Sequence, residues 1–322
     1  MVTPQTALVT GGAGFIGSHL VDRLLAEGYR VICYDNFSSG RKEFIEHQLG
    51  NPALRIITGD VLDKVALRTA LKGVDIVFHL AANPDVRLGA SDSRVHMEQN
   101  VQATFELLEA MRVEGVKRLA FTSTSTVYGE TDVIPTPEDF GPMFPISLYG
   151  ASKLACEALV SGYAHTFDMQ AVSYRFANVV GPRSNHGVTY DFYHKLRANP
   201  ARLEILGDGQ QKKSYVHVHD TVDAMLHGLR NMQGHADVFN IGSHDAITVV
   251  QIADIITQEM GLKDVEYRFT GGVKGGGGWK GDVKRMGLDI ARLEKTGWKP
   301  RYQSAEAIRD TVRSLIDANR AA

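Results

Sequence analysis

Residues 7 to 35 read ALVTGGAGFIGSHLVDRLLAEGYRVICYD, and the architecture of the chain follows from them. ALVT, Ala7 to Thr10, is a short apolar run of the kind that forms a buried strand. It flows into GGAGFIG, Gly11 to Gly17, and then into SHLVDRLLAEG. There Ile16, Leu20, Leu24 and Leu25 make one apolar helical stripe and Gly28 marks the stop. VICYD, Val31 to Asp35, is a second strand-like run that closes on an acid. Strand, glycine turn, helix, strand, acid is the order in which a dinucleotide pyrophosphate rests on a helix N-terminus and a carboxylate holds the adenosine ribose. Gly11, Gly14 and Gly17 are spaced one residue wider at the first gap than G-x-G-x-x-G, and Asp35 arrives about twenty residues on, where the arrangement needs it. A carboxylate there accepts hydrogen bonds from a 2′-hydroxyl and repels a 2′-phosphate, which favours NAD over NADP.

Downstream the alternation continues. LRIIT, Leu54 to Thr58, precedes Gly59 and Asp60; VDIVFHL, Val74 to Leu80, runs into Ala81, Ala82 and Asn83; Lys117 to Phe121 runs into TSTSTVYG, Thr122 to Gly129; Ala171 to Phe176 is a sixth strand. Helical patterns lie between, at Val61 to Leu71 and Val95 to Arg112 among others. The pattern predicts an α/β fold, a doubly wound parallel sheet (Rossmann-like), with ligands beyond the carboxyl ends of the strands. GGAGFIG, AAN, TSTST and Asn178 all fall there. Some residues carry two readings. Asp60 either reaches an adenine amino group or caps the next helix. The paired alanines either admit a flat cofactor or simply pack. Asn100 either satisfies backbone groups or faces the cofactor.

After Phe176 the pattern loosens into shorter elements: helices at Tyr190 to Arg197, Thr221 to Leu229 and Val249 to Met260, strands at Leu203 to Leu206, Tyr215 to Val218, Val238 to Ile241 and Val265 to Phe269, and a glycine-rich loop from Gly271 to Gly278. This predicts a second, smaller substrate-binding domain over the cofactor face of the first. The expected boundaries are 1–177 and 178–322, with segments around 214–242 packing back on the first domain.

LYGASK, Leu148 to Lys153, places Tyr149 and Lys153 one helical turn apart on the same face. A free phenol with a pKa of about 10 is a poor base at neutral pH, and a cation held close favours the phenolate. The pair therefore reads as a general base in a site that holds an acidic proton. The hydroxyl-rich strand end at Thr122 to Thr126 supplies candidate partners.

Composition narrows the class. A formal net charge of −2 over 322 residues gives no basic surface for nucleic acid or for a membrane. Two cysteines in apolar runs, Cys33 and Cys156, are too few for a disulfide framework or a zinc site, so no metal is expected. The N-terminus has no basic region followed by an apolar run, and a cytoplasmic protein is the expectation.

TGGAGFIGSHL, DNFSSG, HLAAN, TSTSTVYGE, YGASK, RFANVVGPR, YVHVHD, and GDV followed by Gly297-Trp298-Lys299-Pro300, in that order, resemble the extended short-chain dehydrogenase/reductases, and within them the nucleotide-sugar 4-epimerases. The resemblance spans nearly the whole chain. It implies that Tyr149 is the general base, that Lys153 lowers its pKa and bonds the nicotinamide ribose, and that Thr124 hydrogen-bonds the reacting hydroxyl. It implies NAD contacts from Gly11, Gly14, Phe15, Ile16 and Gly17 at the phosphates, and from Asp35, Asn36, Ser38, Gly40, Asp60 and Val61 at the adenosine. Leu80, Ala81, Ala82, Asn100, Thr122, Tyr149, Lys153 and Phe176 would lie along the nicotinamide half.

For a UDP-sugar it implies Arg87, Thr124, Ser125, Thr126, Tyr149 and Asn178 at the sugar, Val188 and Thr189 at the uracil, and Lys213, Tyr215 and Lys280 at the nucleotide. Lys213 stands where the family has a pyrophosphate arginine. The second such arginine is replaced by the glycine run, leaving Lys274 and Lys280 as candidates, and Met286 falls near the position that gates bulky 2-substituents. Relatives that eliminate water or decarboxylate carry carboxylates where this chain has Ser125 and Thr126, so oxidation and reduction at C4 alone is implied. Asn178 and Asn185, in place of a threonine and an arginine, favour a neutral hexose over a uronate; Arg87 is either a carboxylate ligand or a loop salt bridge. The expected activity is UDP-glucose/UDP-galactose interconversion. The alternatives are a UDP-glucuronate 4-epimerase, another NAD-dependent epimerase, or a non-catalytic NAD-binding sensor. A homodimer through Val95 to Arg112 and Ser152 to Phe167 is also implied.

Overall fold

The structure is a computed structural model that describes residues 4–273 and 277–321, so Lys274 lies outside the described residues. The chain divides into two compact units. One comprises the chain up to Thr124, Leu148–Arg175 and Met225–Phe239; the other comprises Ser125–Ser147, Phe176–Ala224 and the chain from Asn240 onward.

The first unit is built on the predicted alternation. Strands β1 (Thr6–Thr10), β2 (Arg30–Asp35), β3 (Leu54–Thr58), β4 (Ile76–His79), β5 (Arg118–Thr124) and β6 (Gln170–Phe176) are joined by Ala236–Ile241 in a seven-stranded sheet. Its order is Ala236–Ile241, β6, β5, β4, β1, β2, β3. β1 pairs in parallel with β2 and β4, β2 with β3, and β4 with β5. Order reverses at β1, so chain connections leave to either side there, the topological condition for a ligand crevice at the strand ends. β1 and β4 are buried at every residue, as strands covered on both faces must be, and for that reason they read as continuous apolar runs. Helices α1 (Phe15–Ala26), α2 (Lys64–Leu71), α3 (Ala103–Glu114) and α4 (Leu148–Thr166) belong to this unit, as does Met225–Asn231 from the helix Val218–Asn231, with Leu107, Met111, Cys156 and Val160 of α3 and α4 packed into one core with Leu8, Val77 and Phe121.

Two local features differ from expectation. The helix predicted from Val95 is not uniform: it is α-helical at Val95 and His96, makes a π-helical turn over Met97–Gln102, and is α-helical again over Ala103–Glu114. A single wide turn shifts periodicity by one residue, which apolar spacing does not register. And α2 is capped by Asp63, whose carboxylate accepts from the Val65 and Ala66 amides at 3.1 Å, not by Asp60.

In the second unit the strands are short. Asn178–Val180 pairs in parallel with Tyr215–His217, and Arg202–Ile205 with Glu266–Phe269. Lys212–Lys213 lies between Ile247–Thr248 and Arg285–Met286. Helices Val188–Ala198, Val249–Glu259 and Ser304–Ala321 pack around Leu196, Ile205, Ile252 and Ile308. Val249–Glu259 opens on a capping box made by Thr248 and Gln251. Among the described residues no helix is long and apolar enough to cross a membrane, and no cluster of three or more His, Cys, Asp or Glu is arranged to hold a metal ion.

Candidate active site

The glycine turn shows why it contains glycines. Gly11 has φ +67°, and a Cβ on it would stand 2.8 Å from the Ala81 amide nitrogen. A Cβ on Gly17 would stand 2.0 Å from the Gly11 carbonyl oxygen, so α1 seats against the turn only with hydrogen there. α1 starts at Phe15 behind Gly14 with no side-chain cap, and Ile16 and Gly17 belong to its first turn. Those first-turn amides and the helix dipole form an anion-binding end.

Asp35 closes the other side. Its carboxylate accepts from the Ala13 amide at 2.9 Å and the Phe37 amide at 2.8 Å, and a Cβ on Gly40 would fall 2.7 Å from it. Burial pushes this carboxyl up while the two amides pull it down. Asn36 donates to Asp60 at 2.9 Å and accepts from the Ser38 amide and hydroxyl; the Leu62 amide donates to Asp60, and Val61 is buried. The Leu80 and Ala81 amides each donate to Thr10 Oγ1 at 3.2 Å, and Ala82 is half-buried. A turn with no room for side chains, an anion-binding helix end and a buried carboxylate at the next strand end together fit a dinucleotide with a free 2′-hydroxyl.

At the carboxyl end of β5 the structure brings the catalytic candidates together. The Thr124 and Tyr149 hydroxyls are hydrogen-bonded to each other, and Lys153 Nζ donates to the Thr122 carbonyl at 2.9 Å. Thr122 in turn donates its hydroxyl to the His79 carbonyl. Lys153 is buried, with its ammonium 4.9 Å from the centre of the Phe121 ring. Burial lowers the Lys153 pKa to about 8. The same desolvation pushes the Tyr149 phenol up to about 12, outweighing the downward pull of the Thr124 hydrogen bond. Burial is the largest influence on the phenol here, and the Thr124 hydrogen bond is what pulls it down. In the chain alone the ammonium is spent on a backbone carbonyl, and loss of water dominates.

Asn100 is tied into the chain around α4. It is buried, accepts from the Asn83 amide at 2.8 Å and donates to Ser152 Oγ at 3.0 Å, while Ser152 donates to the Tyr149 carbonyl at 2.7 Å. His96, which no pattern in the sequence marked, lies edge-on to Tyr149 with ring centres 5.6 Å apart. Arg87 is exposed and sits beside Asp85, its Nε 3.5 Å from the carboxylate, in the same loop.

The candidates of the second unit are more dispersed. Ser125 and Thr126 lie in the 3-10 turn Ser125–Tyr128. Phe176 and Tyr215 are buried, and burial raises the Tyr215 phenol. Asn178 donates to the Ser214 carbonyl. Val188 and Thr189 open the helix Val188–Ala198, with Thr189 buried. Met286 is buried and Lys280 is exposed. Lys213 is committed: it pairs with Asp282 at 2.6 Å and lies over the Trp279 ring at 5.6 Å, and Asp282 also accepts from the Gly278 amide. Asp282 and Trp279 flank the glycine run, too far along the chain for sequence to pair them with Lys213.

The chain is similar to known proteins. The sequence pattern of the NAD dependent epimerase/dehydratase family matches residues 7–242. The UDP-glucose 4-epimerase of Mycolicibacterium smegmatis is 34% identical over 313 residues, covering 95% of this chain and 96% of that protein. A crystal structure of a UDP-galactose 4-epimerase is 45% identical, covers 98% of this chain and 99% of its own, and superimposes with a TM-score of 0.87. The Thermotoga maritima UDP-glucose 4-epimerase, solved with UDP-glucose, is 33% identical with a TM-score of 0.86, covering 98% of this chain and all of its own. The glycine turn, the Asp35 carboxylate and the Tyr149–Lys153 helix thus stand in a chain that belongs to the NAD-dependent epimerase/dehydratase family, with NAD as its cofactor.

Proposed function

We propose that the protein interconverts UDP-glucose and UDP-galactose, by transient oxidation of the sugar at C4 and reduction of the 4-keto sugar from its opposite face. The observation that carries this reading is the hydrogen bond between Thr124 and Tyr149 with Lys153 one turn along α4. In this reading Thr124 orients the sugar O4, and Tyr149 takes the O4 proton and returns it. Gly11, Gly14, Phe15, Ile16 and Gly17 hold the NAD pyrophosphate; Asp35, Asn36, Ser38, Gly40, Asp60 and Val61 hold the adenosine; Lys153 turns toward the nicotinamide ribose. When bound, NAD supplies reversible hydride acceptance and the positive charge of its oxidised ring. With NAD bound, Lys153 would help draw the phenol below its value of about 12 in the chain alone.

Substrate choice rests on what the chain lacks and holds. Ser125 and Thr126 offer no carboxylate for elimination or decarboxylation. Arg87 already faces Asp85, which favours a neutral hexose over a uronate. The first unit is proposed to hold NAD and the second the nucleotide, through Asn178, Val188, Thr189, Lys213, Tyr215 and Lys280. A non-catalytic sensor has no need of Thr124, Tyr149 and Lys153 in one arrangement. A homodimer is proposed through the outer faces of α3 and α4, where the partly exposed Phe105 meets Tyr163 edge-on.

The test is a coupled assay of the purified protein with UDP-galactose, UDP-glucose and UDP-glucuronate. Interconversion of the neutral pair without net NADH release is the expected result. Turnover of the glucuronate alone would replace this reading with the uronate epimerase.

A further inference from the structure

Tyr149, Lys153 and Glu157 stand at successive turns of one stripe of α4. Their partners are three consecutive residues of β5. Thr124 bonds Tyr149, the Thr122 carbonyl accepts from Lys153, and the Ser123 hydroxyl donates to Glu157 Oε1. Glu157 is held a second time from β6. Arg175 Nε donates to Oε1 at 3.0 Å and a terminal guanidinium nitrogen donates to Oε2 at 2.7 Å. Side-chain exposure is 6% for Arg175 and 10% for Glu157. A buried ion pair is on balance weak support for stability, because desolvation offsets the attraction, but its fork geometry fixes direction.

We infer that Ser123, Glu157 and Arg175 are a positioning cluster for the catalytic pair, pinning α4 to the ends of β5 and β6 and keeping a carboxylate one turn behind Lys153. The inference rests on the proposed epimerase reading for its kinetic readout. The groups that face Lys153 are few. From β5 come the Phe121 ring and the Thr122 carbonyl; from α4 the Cys156 thiol and the Glu157 carboxylate, both of which favour the ammonium; from β4 the His79 imidazole, whose protonation Lys153 opposes. Burial acts against them all, and the ammonium ends with a pKa of about 8. Without the Glu157 charge Lys153 loses its proton at a lower pH, and Tyr149 then loses the cation that helps it become a base.

The experiment is Glu157→Gln in the NAD-loaded protein, with kcat and KM for UDP-galactose measured from pH 6 to 10 beside wild type. The cluster predicts that the alkaline limb of kcat moves down by about one pH unit, with kcat at pH 8 lowered about fivefold and KM within about twofold. Glu157→Asp, which restores the charge, returns the limb toward wild type. A Glu157→Gln protein that retains NAD and loses amplitude with its limb unmoved overturns the proposal, since a merely structural role has that signature. Should Glu157→Gln fail to fold, Ser123→Ala leaves the ion pair in place and decides: a kcat lowered about threefold or more at unchanged KM supports the cluster, and an unchanged kcat refutes it. If wild type turns over no UDP-sugar, the epimerase reading fails by itself. The cluster is then tested by ultraviolet titration of the NAD-loaded protein, the Tyr149 phenol being the difference between each protein and its Tyr149→Phe counterpart. Glu157→Gln is expected to raise that transition; no shift overturns the proposal.

Discussion

Lys153 in the first unit and Lys213 in the second are both ammonium groups removed from bulk water, and the chain treats them in opposite ways. Lys153 donates to a neutral backbone carbonyl and faces an aromatic ring, so burial goes partly uncompensated and its pKa falls to about 8. Lys213 is paired with the buried carboxylate of Asp282 at 2.6 Å and lies over Trp279. A charge that takes part in chemistry has to be free to change its partner or its proton. One that only shapes a binding surface can be settled by a counter-ion. The contrast agrees with the proposed reading, in which the first lysine serves the chemistry and the second the recognition of the nucleotide.

The comparison is broken most severely at Tyr149. Tyr149→Phe is expected to lower kcat by about a thousandfold or more while NAD stays bound, in the range general-base removal commands; turnover in the coupled assay and NAD content after gel filtration check it. If the variant kept its activity, the first unit would hold no catalytic corner to contrast. Gly17→Ala comes next. Its methyl would stand 2.0 Å from the Gly11 carbonyl oxygen, so the turn has to open. The expected result is loss of bound NAD and a lowered melting temperature, the overpacking costing about 1–3 kcal/mol. The variant read by calorimetry and NAD content separates the cofactor cradle from Lys213, which it should leave untouched.

A third prediction concerns pH. His79 is buried between Thr10 and Thr104, and burial with the nearby Lys153 lowers its pKa to about 3. Unfolded, it titrates near 6.5, so the unfolded chain takes the proton first. Stability that is complete above pH 6.5 is lost as pH falls toward 3, by up to about 1.4 kcal/mol per unit from this group. Urea unfolding at pH 7, 6 and 5 reads the slope, and His79→Gln is expected to flatten it. The smallest effect sharpens the recognition side: Lys213→Met should raise KM for UDP-galactose about tenfold and change kcat less than twofold. A kcat loss as large as that of a Lys153→Met variant would erase the distinction between the two lysines.

Much of the first unit was legible because its signals are local. A buried parallel strand is an apolar run, a cofactor turn is a string of glycines, and Tyr149 and Lys153 share a helix face by spacing alone. What was not legible depends on distance along the chain or on solvent. Asp63 rather than Asp60 caps α2 because a cap is set by backbone geometry over three residues, and both acids satisfy the composition rule. Asp282 reaches Lys213 across 69 positions, a pairing that no window contains. His96 and Glu157 were passed over because a histidine or glutamate within a helix is ordinary until its neighbours are known.

By itself, then, the sequence determined the order of strands and helices in the first unit, the glycine turn with its acid, and which side chains could act as base, hydroxyl and cation. Periodicity and steric demand write those into adjacent residues, while the short strands of the second unit, such as Asn178–Val180 and Arg285–Met286, carry too few residues to show a period. Only the tertiary structure decided which charges are left uncompensated. The upward push on Tyr149, the fall of the Lys153 pKa, the Arg175–Glu157 fork and the engagement of Lys213 all arise from how much water is excluded and which partner stands there instead. Desolvation belongs to the folded arrangement and to no residue alone.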